Sequence, residues 1–500
     1  MTDDERLPII VGVGQVTQRP ETERPREPLA LMADAARLAE ADAGAGDLLH
    51  ALDSVRVVNI LSWPSKAPPQ DLARALAVAP REQLYTHIGG NTPQWLVNEA
   101  ADAIHRGELD LVLIAGAEAM HSARRARATG VDLGWSPRGT PAPDIGDGRA
   151  GVSELEARHG ATLPTRVYPL FENALRARYR HSIGEHQRAL GELFERFSAV
   201  AAANQHAWFR EAKTAAQIAT AGEGNRYIGF PYTKYMNAIL DVDQGAALLL
   251  THAGAARRLG IDERKWVYLW GCGDATDHWF VTQRENYHAS PAIRAAGARA
   301  LEMAGIAVAD VGVFDLYSCF PSAVEITRDM LEIAPGDARP LTVTGGLPYF
   351  GGPGNNYVTH SIAAMAQELR AAPGTIGMVT ANGWYVTKHS AGVYSTAPPR
   401  RAWERTPPAV DQARVDAGPR PQVVAEAAGE ATVETYTVIF DRDGAPERGI
   451  VLGRLAGGGR FIANTPVDRG ALEAMTRVEM VGAKGQVAPA DDGRNLFAPA

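Results

Sequence analysis

The alternation of short apolar runs with segments of helical apolar spacing constrains this chain more than any other feature. Residues 8–13 (PIIVGV) form one such run, and ALMADAARLAEADAG behind it carries apolar residues at helical spacing. The pair reads as a strand followed by a helix. LDSVRVVNILS, the helical PQDLARALAV and PQWLVNEAADAIHRGE, and the apolar LDLVLIAGAEAM from Leu109 repeat it. Strands that alternate with helices imply a largely parallel sheet covered by helices.

Between about residues 121 and 240 the alternation breaks. A Gly- and Pro-rich stretch, GWSPRGTPAPDIGDGRAG, precedes long helical segments such as EHQRALGELFERFSAVAAANQHAW. Alternation resumes at QGAALLLTHAGAARRLG and continues through KWVYLWGCG, PAIRAAGARALEMAGI, VGVFDLYSCF, SIAAMAQELRAA and TIGMVTANG. The chain therefore holds two related halves with a helical insertion in the first. Prolines then cluster between residues 398 and 421, as in a linker. VETYTVIFDRDG, GIVLGRLAGGGRFIANTP and ALEAMTRVEMVG follow with alternating apolar residues and glycine turns, which predicts a small antiparallel barrel as a separate module.

At 500 residues the chain is long enough for several domains. Fifty Lys and Arg against 58 Asp and Glu give a net charge of -8, which argues against a general nucleic-acid binder. Cys272 and Cys319 are the only cysteines, so there is no disulfide framework and no CxxC zinc site, and no metal is expected. The acidic start MTDDERLPIIVGVG is unlike a secretory signal, and no apolar run reaches the roughly 18 residues needed to span a bilayer. A cytoplasmic protein with no membrane span is the expectation.

GAEAM, DQGAALLLTHAGAARRLG, PAIRAAGARALEMAGIAVADVGVFDLYSCF and TGGLPYFGGPGNNYVTHSIAAMAQELR, in that order, resemble the thiolase superfamily over residues 7–395. YSCF stands where the sterol carrier protein type branch carries His-Asp-Cys-Phe. The chain is most similar to the thiolase-like protein type 1 group, which has an additional C-terminal domain. The resemblance implies an α/β thiolase fold: duplicated βαβαβαββ halves in five αβαβα layers, with two stacked five-stranded sheets. The expected boundaries are 1–120 with 241–262 for the first half, 121–240 for the insertion, 263–400 for the second half, 401–419 for the linker and 420–500 for the β-rich module.

Thiolases need a thiolate at a helix N-terminus, where unsatisfied NH groups and the helix dipole lower the thiol pKa. Counting back from Ile104 as in the family puts that nucleophile at Gly90, and a register shift offers Asn91 or Thr92 instead. Thr92, before Pro93, also reads as a helix N-cap. The family's Gly-His-Pro histidine falls at Gly352, and its proton-shuttling cysteine at Ala381. All three catalytic groups are thus missing.

The residues left for chemistry are Tyr317, Cys319, His87 and Tyr357. Each has a plainer reading: Cys319 as a small buried hydrophobe, the tyrosines as packing, His87 as a partner of a loop carbonyl. Asn91, Thr92, Ser318 and Asn382 are candidate ligand contacts. Arg226 and Lys234, in the insertion that meets CoA in thiolases, are candidate phosphate contacts or ordinary solvated cations. The resemblance implies CoA or an acyl-CoA as ligand and no covalently held cofactor, in a monomer or homodimer. Three functions compete: a CoA-ester binder without the usual catalytic set, a lyase or acyltransferase using the tyrosines or Cys319, and a scaffold that binds a protein through the C-terminal module.

Overall fold

The computed structural model describes residues 3–500. Its largest sheet joins two halves built to one plan. In the first half, Pro8–Thr17, Asp243–His252, Val112–Ala119, Ser54–Val57 and Glu82–Tyr85 lie side by side in that order. In the second, Val267–Thr276, Lys388–Ser395, Ile376–Gly383 and Val313–Asp315 repeat the order. The halves touch edge to edge only at Ile9–Tyr268 and Ile10–Val267.

The expected fifth strand of the second half is not formed as a regular strand. Its place beside Val313–Asp315 is taken by residues 340–341, which accept hydrogen bonds from Phe314 N and Leu316 N at 2.9 Å each. Pro340 has no N–H to return to a ladder, so the pairing stays short.

Helices Thr92–His105 and Tyr357–Ala371 pack on each other between the two sheets. Pro28–Ala43 covers the outer face of the first sheet and Pro291–Ala304 that of the second, which completes the five layers. The outer helices approach their strands through paired glycines. A Cβ on Gly12 or Gly14 would stand 2.1 or 2.0 Å from the carbonyls of Ala39 and Ala35; on Gly271 or Gly273 it would stand 2.2 or 2.1 Å from those of Ala300 and Ala296. The GVG and GCG runs are the same contact made twice.

In the insertion, Pro164–Tyr179 and Ile183–Ala203 are the long helices. The Gly- and Pro-rich stretch before them forms a strap along the open edge of the first sheet. Asp144 N donates to Tyr85 O (2.7 Å), Asp144 Oδ2 accepts from Tyr85 N (2.8 Å), and His87 N donates to Ile145 O (2.9 Å). Covering an edge strand in this way removes a row of free backbone groups that would otherwise template pairing with another chain.

Near the C-terminus, Gly429–Phe440, Pro446–Leu455, Arg460–Asn464, Asn495–Pro499 and Lys484–Pro489 close into a five-stranded barrel around Tyr436, Val438, Val451, Phe461 and Phe497. One contact, Asn464–Leu496, is parallel. The strand order and the helix Arg469–Met475 between the third and fourth strands are those of an OB-fold.

The barrel is tied to the body more closely than a linker-borne module would be. Fully buried Arg176 donates to both oxygens of Glu479 (2.8 and 2.9 Å), and Asn173 Nδ2 to Tyr436 O (2.6 Å). Asn495 N donates to His159 Nε2 (2.8 Å), while buried Arg460 reaches Glu285 O (2.9 Å). Of the proline-rich stretch, Pro408–Asp416 is a helix packed on Val267–Thr276 and Pro291–Ala304.

Candidate functional site

The loop from Thr86 to Asn91 leads from the strapped edge strand into helix Thr92–His105 and separates two spaces. Asn355, from the glycine-rich stretch of the second half, holds it by accepting from Gly89 N at 2.9 Å. A Cβ added to Gly90 would lie 2.3 Å from the Tyr317 hydroxyl and 2.5 Å from Asn382 O. The phenol therefore occupies the volume that a side chain at Gly90 would need, and only glycine fits there. Tyr317 is fixed by its N–H on Thr380 Oγ1 (3.0 Å) and by an edge-on contact with Tyr357, ring centroids 5.7 Å apart. Tyr357 Oη lies 2.6 Å from Thr344 Oγ1.

Burial raises both phenols well above the ordinary tyrosine range, so each is a proton-bearing donor at neutral pH. Burial also pushes the Cys319 thiol up to about 12, against a lowering contact with Tyr168, so the thiolate needed for attack is not formed. The cavity lined by Tyr317, Ala381 and Asn382 measures only about 10 Å³. No acyl thioester fits it.

On the other side of the loop lies a cleft of about 470 Å³, within the size range of small-molecule sites. His87, Asn91, Thr92, Asp274, Lys388 and His389 contribute to its walls. Lys388 is buried and donates from Nζ to Ile88 O at 2.5 Å. Burial brings its pKa down to about 8, with Asp147 opposing, so a fraction of the amine is neutral near physiological pH. Asn91 Oδ1, buried in the same loop, has no hydrogen-bond partner among the described residues.

The turn that sets Lys388 in place is strained. Trp384 and Val386 have φ of 55° and 53°, a region disfavoured for side chains of their bulk. Buried Arg284 holds it by donating to Val386 O (2.7 Å), Tyr385 O (3.1 Å) and Thr387 Oγ1 (3.0 Å). Tyr168 Oη donates to Trp384 O (2.8 Å) and accepts from Asn382 Nδ2 (2.9 Å).

Residues 411–493 match the family described as the thiolase-like protein type 1 additional C-terminal domain. A crystal structure of a monomeric SCP2-thiolase like protein type 1 from Mycobacterium smegmatis is 36% identical, covers 99% of this chain and 100% of that one, and superposes with a TM-score of 0.86. The chain belongs to the SCP2-thiolase-like protein type 1 family. The fold alone is shared with an Ltp2-ChsH2(DUF35) aldolase (19% identity, 80% of this chain and 99% of that, TM-score 0.62). It is likewise shared with acetyl-CoA acetyltransferase from Syntrophomonas wolfei (15%, 78% and 99%, TM-score 0.57). No curated protein matches the sequence.

In this thiolase-like protein the residues singled out from the sequence fall into separate groups. Gly90 abuts Tyr317 and Asn382, which with Ala381 line the small cavity, and Tyr357 packs against Tyr317. A Cβ on Gly352 would instead meet Ile239 O and Leu347 at 3.3 Å. His87, Asn91 and Thr92 line the open cleft. Thr92 is the first helical residue, not the N-cap, and its hydroxyl donates to Gly89 O at 2.5 Å. Ser318 is fully buried beside Gly346. Arg226 donates to Tyr227 O (2.8 Å) near the barrel turn at Gly444, and Lys234 is exposed. Lys388, Tyr168 and Arg284 went unread in the sequence; a lysine five residues beyond Gly383, where a turn returns the chain to the same sheet, was the available signal for the first.

Proposed function

We propose that this thiolase-like protein binds CoA or acyl-CoA esters without forming an acyl-enzyme, with the ligand's acyl end in the cleft beside Lys388, His87 and Asn91. The observation that carries this reading is the Tyr317 hydroxyl in the space of a Gly90 side chain. Splitting a thioester reaction through a covalent intermediate requires an activated nucleophile, and the inherited position offers neither the atom nor the room. The cleft supplies donors for a thioester carbonyl: the Lys388 ammonium in its wall and the start of helix Thr92–His105. A cytoplasmic role in lipid or sterol handling, as a monomer, goes with this reading.

Titration calorimetry with CoA, acetyl-CoA and longer acyl-CoAs tests it, with thiolysis followed by loss of the acetoacetyl-CoA enolate absorbance. We expect saturable binding weakened by Lys388→Ala, no thiolysis, and no adduct by intact-protein mass spectrometry. Absence of binding to every CoA species sinks the proposal. Cleavage of a hydroxyacyl-CoA without an adduct, lost in Tyr317→Phe, would instead establish a retro-aldol lyase, the reading favoured by a buried, proton-bearing phenol at this loop.

A further inference from the structure

Glu172, His186 and Glu325 meet deep inside the protein, on helices Pro164–Tyr179, Ile183–Ala203 and Pro321–Met330. Their exposures are 0%, 1% and 4%. His186 Nε2 lies 2.6 Å from Glu172 Oε1, and the Tyr232 hydroxyl donates to Glu172 Oε2 at 2.7 Å. Among the described residues, Glu325 Oε2 has no hydrogen-bond donor, and its carboxyl faces that of Glu172. Burial and the neighbouring Glu172 push the Glu325 carboxyl well above the usual carboxylate range, so the pair either holds a proton or shares a cation. Arg176 and Arg328 make their close ion pairs elsewhere, with Glu479 at 2.8 Å and Asp329 at 2.9 Å, and act on this pair only at longer range.

We infer that Glu172, His186 and Glu325 bind one divalent transition-metal ion, zinc being the best match to one imidazole and two carboxylate ligands. The three donor atoms lie within 4.8 Å of one another, so small side-chain rotations bring all three to bonding distance of about 2.0–2.2 Å. His186 Nδ1 lies 3.3 Å from His181 Nδ1, an outer hydrogen bond of the kind that orients a ligating imidazole. Two carboxylates offset the charge of a divalent ion, and a mixed nitrogen and oxygen set suits zinc better than calcium or magnesium. No such set was legible in the sequence, because the ligands stand 14 and 139 positions apart and meet only when the insertion packs on the second half. Glu325 lies in the helix that follows Tyr317–Phe320, so the ion pins the insertion to the element behind the phenol.

The test uses the full, tag-free chain. After EDTA dialysis it is titrated with zinc chloride against a chromophoric chelator, and a parallel sample with cobalt(II) is read by visible absorption. We expect one equivalent of zinc per chain, a cobalt spectrum of low-coordinate nitrogen and oxygen ligation, and a melting temperature raised by zinc. Glu325→Gln and His186→Gln should weaken zinc by at least about 100-fold and abolish the rise in melting temperature. If either variant fails to fold, the wild-type stoichiometry and cobalt spectrum decide alone. Wild-type protein that takes up no zinc, or variants that bind it equally, overturns the site. Glu325→Gln that raises the metal-free melting temperature while zinc has no effect on wild type assigns the pair to a shared proton and also overturns it.

Discussion

On one side of the 86–91 loop, the Tyr317 phenol and the Asn382 carbonyl fill the space beside Gly90; on the other a cleft of about 470 Å³ remains, with a lysine in its wall. Both sides belong to one loop and one helix start, yet the first is filled by an uncharged phenol and the second is lined by Lys388 and Asp274. The loss of a nucleophile did not leave a hole, because the Tyr317 phenol occupies the volume beside Gly90. A protein interior packs to crystal-like density, so an emptied catalytic position is normally filled, and filling it commits the site. What is left for ligands is the face the phenol does not reach.

The strongest way to break this contrast is to rebuild the nucleophile. Gly90→Cys places a Cβ against the Tyr317 hydroxyl and the Asn382 carbonyl, and overpacking of this kind costs about 1–3 kcal/mol. Thermal melts should show that loss, and Tyr317→Ala in the same chain should recover part of it, a coupling expected only if the two side chains compete for one volume. Neither variant should catalyse thiolysis, since the positions of the family's histidine and second cysteine remain Gly352 and Ala381.

A smaller effect sharpens the outer face. Lys388 has a folded pKa of about 8, below the roughly 10.4 of a free lysine, so the folded state binds fewer protons between those values. Stability should therefore rise with pH across that window, and Lys388→Met should flatten the rise in urea midpoints measured at pH 7.5 and pH 10. Amine labelling followed by peptide mass spectrometry should modify Lys388 faster as pH passes 8. An unchanged pH slope in the variant would place the lysine in water and dissolve the contrast between the two faces. Cys319, held near 12, should resist alkylation in the native protein at pH 8 and react only after unfolding.

The smallest effect concerns the strap beside the loop. Asp144→Ala removes the carboxylate that accepts from Tyr85 N, with an expected loss of about 1 kcal/mol. Light scattering should report a monomer for the wild type, and a concentration-dependent dimer only for a variant lacking residues 140–147. A wild-type dimer would show that the strap does not block the edge.

Much of the scaffold was written in local pattern. The alternation of strand and helix, its second round after the insertion, and the GVG and GCG runs at the two outer-helix contacts are all short-range signals. Gly90 was legible through the family resemblance, by counting back from Ile104, with Asn91 and Thr92 as the alternatives one or two residues on. Lys388 was not, because its burial depends on a turn with Trp384 and Val386 in left-handed geometry, and neither residue type announces that conformation. Tyr168 was missed for a related reason: its partners Asn382 and Trp384 lie more than 200 positions away. The proline cluster near residue 400 did suggest a separable module, but it carries no information about Arg176, whose carboxylate partner lies inside that module.

That ion pair sets a schedule for biosynthesis. Arg176 and Glu479 are 303 residues apart, which at roughly 5–20 residues per second is on the order of 15–60 s of translation. During that interval the insertion helix carries a guanidinium that the finished protein buries, with no carboxylate yet made to receive it. Pro164–Tyr179 therefore reaches its final packing only once the barrel emerges, so the last eighty residues decide when an element laid down well before the middle of the chain becomes native. Chains stalled or truncated before residue 479 should remain protease-sensitive in the insertion while the first sheet is already protected.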